Sequence, residues 1–154
     1  MRAVAVNSVE MNKAIEAASK IYLDANCIIY FVERSDVLKE KIAEVIDYAA
    51  DHGKSLVCSE IGVAECLYGA FKLGNAELQG AYNEIFYDIA LFELCPVDGQ
   101  RTKDAAKLGA EKSLKLIDAV HFLAAIELEC DVFVTNDERI RSSYGVHVVQ
   151  LKDL

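Results

Sequence analysis

The chain has 154 residues, 53% apolar and 27% charged, a balance that suits a folded globular domain and excludes a disordered one. Its 16 Lys and Arg against 25 Asp and Glu give a formal charge of −9. That excludes a broad basic footprint for nucleic acid, unless several carboxylates are ligands for divalent cations. No apolar stretch approaches the roughly 20 residues of a membrane helix, and Glu10, Lys13, Glu16 and Lys20 interrupt any signal-peptide core. The expected location is the cytoplasm, with no membrane partner.

Residues 8–19 read as an amphipathic helix, with Met11, Ala14, Ile15 and Ala18 at helical spacing and Asn7 or Ser8 as its cap. A strand follows at 20–24, then Cys27, Ile28, Ile29 and Tyr30 as the first turns of a buried helix. VLKEKIAEVIDYAADHG (37–53) is a strong helix stopped by Gly53, SLVCS (55–59) a buried strand, and EIGVAECLYGAFKLG (60–74) a helical run. Residues 76–90 read as helix, LFELCPV (91–97) contains a strand, and 99–112 are helical again. LIDAVHFLAAIELEC (116–130) is a nearly all-apolar helix and DVFVT (131–135) a buried strand; a short helical turn and a last strand, VHVVQL, complete the chain. Buried strands alternating with helices predict an α/β fold with a mostly parallel sheet covered on both faces. One domain is expected over 1–154, with residues 1–19 as a helical extension and 20–150 as the core. The five cysteines are odd in number, scattered and without a C-x-x-C pair, so they read as small buried hydrophobes.

In such sheets ligands bind at the carboxyl ends of the strands. Asp24 is the first residue past the first strand, and Thr135, Asn136 and Asp137 leave the end of DVFVT. Each aspartate could instead cap a helix. Glu65 lies on a helix whose neighbours three and four residues away are Ile61, Gly62, Tyr68 and Gly69, so no polar stripe carries it into water. Asp118 precedes a dozen almost unbroken apolar residues; its competing reading is a helix start. Two carboxylates about 4 Å apart repel by roughly 4 kcal/mol at an effective dielectric near 20. A divalent cation resolves that repulsion, and an all-oxygen ligand set suits Mg2+ or Mn2+. The chemistry indicated is metal-dependent phosphoryl transfer.

Competing motifs are absent: the chain has no P-loop, no G-x-G-x-x-G, no H-E-x-x-H and no G-x-S-x-G. His121, three residues after Asp118, reads as a packed helix residue, and His52 and His147 have no neighbours that suggest a ligand. Glu60 reads as a helix N-terminal acid favoured by the dipole.

"YLDANCIIY", "SEIGVAECLYG", "LIDAVHFLAA" and "VFVTNDERI" stand in that order, and with them the chain resembles the PIN-domain nucleases from about Ile21 to Val149, especially the VapC-type toxin ribonucleases of toxin–antitoxin pairs. The resemblance implies a three-layer α/β/α PIN-like fold. It makes Asp24, Glu65, Asp118 and Asp137 the acidic quartet, catalytic and metal-binding, with Asp24 and Asp118 the most direct ligands. Asn26 and Thr135 match positions that support the carboxylates by hydrogen bonding. The expectation is therefore an Mg2+- or Mn2+-dependent endoribonuclease, a homodimer whose partners are an RNA substrate and an antitoxin protein. The chain departs from the family pattern in its N-terminal extension and its acidic balance. Two other readings stand beside this one: a non-catalytic PIN-like scaffold that binds RNA or protein, and an α/β phosphohydrolase. The latter is disfavoured because Asp24-Ala25-Asn26 lacks the second aspartate of a D-x-D loop.

Overall fold

Alternation along short apolar strands sets the layers. In a strand successive side chains point to opposite faces, so Ile21 and Leu23 join one hydrophobic cluster and Tyr22 joins another. The structure, a computed structural model, describes residues 11–154. Its sheet has five strands: β1 (Lys20–Leu23), β2 (Ser55–Ser59), β3 (Glu93–Cys95), β4 (Val132–Thr135) and β5 (His147–Gln150). Their order is β3-β2-β1-β4-β5 and every pairing is parallel. Ile21 stands between Leu56 and Val132, and Tyr22 between Val57 and Phe133. The two faces are thus sorted residue by residue.

The Ile21/Leu23 face carries Leu56, Cys58, Val132 and Val134, and five helices supply its cover. These are α1 (Lys13–Ala17), α2 (Ala25–Glu33), α3 (Val37–Asp51), α4 (Glu60–Lys72) and α5 (Ala76–Asn83). They contribute Ile15, Cys27, Ile42, Cys66 and Tyr82 among others. The Tyr22 face packs Val57, Phe133 and Cys95 under Leu108 and Phe122, which come from α6 (Gly99–Lys112) and α7 (Leu116–Glu127). There Tyr22 stacks on Phe133 with centroids 5.0 Å apart, and Phe122 meets Phe133 edge-on at 5.4 Å. All five cysteines are buried and unpaired, as small hydrophobes should be.

Three stretches differ from the sequence reading. The first helix is short: Asn12 caps it by accepting from the Ala14 amide at 2.8 Å, while Asn7, Ser8 and residues 8–10 lie outside the described residues. It ends because Ala18 turns extended and the Asp131 carboxylate takes the Ser19 and Lys20 amides at 2.8 and 3.1 Å, aiming the chain into β1. Within the expected helix 76–90, α5 gives way to a π-helical turn, Glu84–Asp88, closed by Ala90 in the left-handed region. The expected helical turn before β5 is instead a looped segment closed by an antiparallel bridge between Ser143 and Val146, with Tyr144 and Gly145 at φ 52° and 79°.

Candidate active site

Because β1 and β4 are neighbours in register, the residues that leave them meet. The Asp24 amide still donates to Val134 at 3.1 Å, as if the ladder ran one residue further. Asp24 then opens α2 without capping it by its side chain, so its carboxylate is left for the crevice. Thr135 donates its hydroxyl to Asp24 Oδ2 at 2.8 Å and accepts from the Asp137 amide at 3.0 Å. One wholly buried hydroxyl thereby ties the first acid to the last.

Glu65 reaches the same crevice from α4, through a residue that the sequence reading had treated as packing. His121 on α7 is buried, with Nε2 at 2.5 Å from Glu65 Oε1 and 3.7 Å from Asp24 Oδ1. A carboxylate only accepts, so Nε2 carries the donated hydrogen. Nδ1 lies 2.6 Å from the Tyr22 hydroxyl, which completes a buried chain from the sheet to the acids. Room for the imidazole comes from Gly62: a Cβ there would stand 3.3 Å from His121 Cε1 and 2.4 Å from Cys58 Sγ. The structure leaves the Glu65 side chain 38% exposed, so it is not kept from water as its apolar neighbours suggest. A glycine one turn before that glutamate was the signal in the sequence that could have pointed to His121.

Asp118 sits in the first turn of α7, half-buried, while Lys115 is the cap residue, so Asp118 does not serve as the cap. Asp137 accepts from the Arg139 amide at 2.9 Å and from its guanidinium at 3.0 and 2.8 Å, a two-pronged pair. Asn26 is exposed and, among the described residues, donates to none of the four carboxylates. It is flanked by Ala25 and Cys27, which turn α2 onto the core and leave Asn26 on the water side. The sequence-based role for Asn26 as a hydrogen-bonding support is thus not what its side chain does here. Glu60 accepts from the Val97 amide at 3.3 Å and joins α4 to the segment entering α6.

The charges respond to one another. Burial raises the Asp24 pKa; His121 and the Thr135 hydroxyl offset part of that rise, and the Glu65 charge adds to it. Asp118 is likewise raised by burial and then by the charges of Asp24 and Asp137. Burial opposes a charged His121, yet the Glu65 hydrogen bond and the charges of Asp24, Glu65 and Asp118 raise its pKa overall. Arg139 lowers Asp137, with smaller help from Lys115. Each of the four acids is coupled to at least one other, or to the histidine between them.

Two raised, mutually repelling carboxylates on an all-oxygen rim are the donor set a hard divalent cation takes. Among the described residues no three His, Cys, Asp or Glu side chains are drawn close enough to enclose an ion. Mg2+ needs no such cage, because it is commonly held by one or two carboxylates and its own waters. The residues therefore fit a metal held chiefly by Asp24 and Asp118. Glu65 is occupied by His121, and Asp137 by Arg139.

Of the cations in and after α6 that could meet a phosphate, Arg101 is committed elsewhere, to Glu127 at 2.5 Å and to Asp98 at 3.3 Å. Lys115 acts on Asp137. Lys103 and Lys107 lie on α6, and Lys112 stands over the Tyr144 ring at 5.2 Å.

The PIN domain family model matches residues 21–145. No curated protein matches the sequence. Among solved structures, VapBC2 from Rickettsia felis bound to a DNA fragment from its promoter is similar at a TM-score of 0.68 and 18% identity, covering 85% of this chain and 98% of that one. A toxin–antitoxin complex from Klebsiella pneumoniae is similar at 0.64 and 16%, covering 87% and 99%. FitAcB from Neisseria gonorrhoeae is similar at 0.62 and 20%, also covering 87% and 99%. Likeness at these identities is a likeness of fold.

Proposed function

The chain belongs to the PIN domain family, and from that premise we propose that it is a divalent-metal-dependent endoribonuclease acting as the toxin of a toxin–antitoxin pair. The observation that most supports this is the coupling of Asp24, Glu65, Asp118 and Asp137 around the carboxyl ends of β1 and β4. Mg2+ or Mn2+ would be held by Asp24 and Asp118, with Glu65 and Asp137 completing the acidic rim. When bound, the ion supplies a nucleophilic water at neutral pH and stabilises the leaving oxygen of a phosphodiester. The chain's own contribution is orientation: Thr135 fixes Asp24, His121 fixes Glu65, and Arg139 holds Asp137.

An antitoxin partner and a homodimer are part of the proposal. One of the similar solved structures, from Klebsiella pneumoniae, is a toxin–antitoxin complex by name. Tyr68, Phe71 and Leu73 at the end of α4, and Tyr87 and Ile89 near the π-helical turn, leave apolar side chains in water, as surfaces awaiting a protein partner do.

A scaffold without catalysis draws on a different observation. Glu65 and Asp137 each already have a cationic or hydrogen-donating partner within the chain, and a binding protein needs no free carboxylates. One comparison separates the two readings. The protein is expected to cut RNA in Mg2+ or Mn2+, to stop when EDTA is added, and to lose cleavage in Asp118→Asn while remaining folded by circular dichroism. No cleavage by the unsubstituted protein, or cleavage that Asp118→Asn leaves unchanged and so does not come from this site, would leave the scaffold reading in place.

A further inference from the structure

Beside the acids, the turn between α6 and α7 and the segment between β4 and β5 enclose a cavity of about 530 Å³. Its polar lining is Lys112, Ser113, Arg139, Arg141, Ser142 and Ser143. No carboxylate stands among the lining residues, in a chain whose formal charge is −9. Arg139 is paired with Asp137, which sets the cavity directly against the acidic rim. Lys112 and Arg141 make no ion pair with any described residue. Ser142 Oγ accepts from the Val148 amide at 2.9 Å, so its own hydrogen is free to donate outward. Leu114 and Phe122 complete the lining, and a concavity whose polar side chains are only cations and hydroxyls selects an anion, with guanidinium geometry suited to a phosphate.

A second feature adjoins the cavity. Tyr144 follows Ser143 of its lining and adopts φ 52°, a conformation costly for a bulky residue, between the Ser143–Val146 bridge and Gly145. Its side chain borders a neighbouring hollow that also holds Asp104, Lys107 and Glu111. The residue is 56% exposed, and the Lys112 ammonium, which lines the cavity, stands over its ring. An exposed ring beside cations is how single-stranded nucleic acid is gripped, one base stacked and its phosphate paired.

We propose that this cavity is a nucleotide subsite for single-stranded RNA, in which Arg141 and Lys112 hold a backbone phosphate one step away from the cleaved bond and Tyr144 stacks its base. The proposal rests on the ribonuclease reading and names where the substrate strand runs. It also answers the objection raised by the net charge: the basic footprint is small and confined to this cavity.

The test is fluorescence anisotropy of a labelled single-stranded oligoribonucleotide on the full chain in EDTA, across a salt series. Arg141→Gln is expected to weaken binding about tenfold and to flatten the salt slope by about one phosphate contact, while Arg141→Lys restores most of the slope. Tyr144→Ala is expected to weaken binding about as much and to leave the slope unchanged. Lys39→Gln, on α3 in the opposite layer, removes the same charge and should change nothing. Unchanged affinity in Arg141→Gln overturns the subsite. Loss in Arg141→Gln with none in Tyr144→Ala overturns the nucleotide assignment in favour of a bare phosphate site, as would equal competition by inorganic phosphate and by a mononucleotide. Metal-dependent cleavage by the unsubstituted protein is scored in parallel: its absence defeats the ribonuclease reading, whereas cleavage with unaltered Arg141→Gln binding defeats the subsite alone.

Discussion

Thr135 shows what one hydroxyl does at this site. It donates to Asp24 and accepts from the Asp137 amide, wholly out of water. Thr135→Val keeps the shape and the strand propensity but leaves a buried carboxylate oxygen and an amide each short of a partner. Such orphaned groups cost about 1–3 kcal/mol, so the urea midpoint should fall despite the added methyl. Thr135→Ser, which keeps the hydroxyl, should lose less; a Val protein as stable as the parent would show the bonds to be worth nothing. Asp24, Thr135 and Asp137 were legible in the sequence because strand ends are legible, and a strand end fixes where a side chain emerges. His121 was not, since a histidine on an apolar helix looks the same whether it packs against leucine or bridges two acids. Asn26 misled for the opposite reason. Proximity in sequence to Asp24 is no guide to facing, because successive helix residues point about 100° apart.

At the scale of elements, β2 and α4 meet through Gly62. Alanine there would gain helix propensity of up to about 1 kcal/mol, yet its Cβ would stand 2.4 Å from Cys58 Sγ in the closed core. Crowding of this kind costs about 1–3 kcal/mol, so Gly62→Ala should be destabilised, and it should displace His121 from Glu65. Adding Cys58→Ala removes the sulfur in the way. The double variant is expected to regain stability relative to the sum of the two single changes, and strict additivity would contradict the contact. Helices and strands with a clear apolar period were readable: α3, α4, α7, β2 and β4 lie where the pattern puts them. Elements set by long-range contacts were not. The end of α1 depends on Asp131, more than a hundred residues away, and the loop before β5 on a bridge that no local pattern encodes.

For the molecule as a whole, three coupled groups push stability in one direction with pH. Asp24 and Asp118 have folded pKa values raised above 3.8, so above that pH the folded state keeps protons the unfolded chain has shed. Stability therefore falls as pH rises through the folded values. His121 is raised above 6.5, and its contribution, complete below that pH, is lost as pH rises through its folded value. Asp137 is lowered and acts oppositely, but only below 3.8. In EDTA, the urea midpoint is expected to be higher at pH 5 than at pH 8, with Mg2+ recovering stability at pH 8 by binding the folded state alone. Asp118→Asn should flatten the profile. A midpoint that climbs from pH 5 to pH 8 would contradict the coupling.

The strand order has a consequence for how the protein comes into being. β1 lies at the centre of the sheet, with β2 on one side and β4 on the other. During synthesis β2 follows β1 closely, but β4 emerges only after residue 131, once α3 to α7 have been made. Until then one side of β1 has no hydrogen-bonding neighbour, Asp24 lacks the hydroxyl that orients it, and Asp137 does not yet exist. Pairings this distant in sequence are also the slow ones to form. A ribosome making this chain therefore carries, until Asp137 is added, a polypeptide whose carboxylate rim is unfinished, and any message broken before the codons for Thr135 to Asp137 yields a product without it.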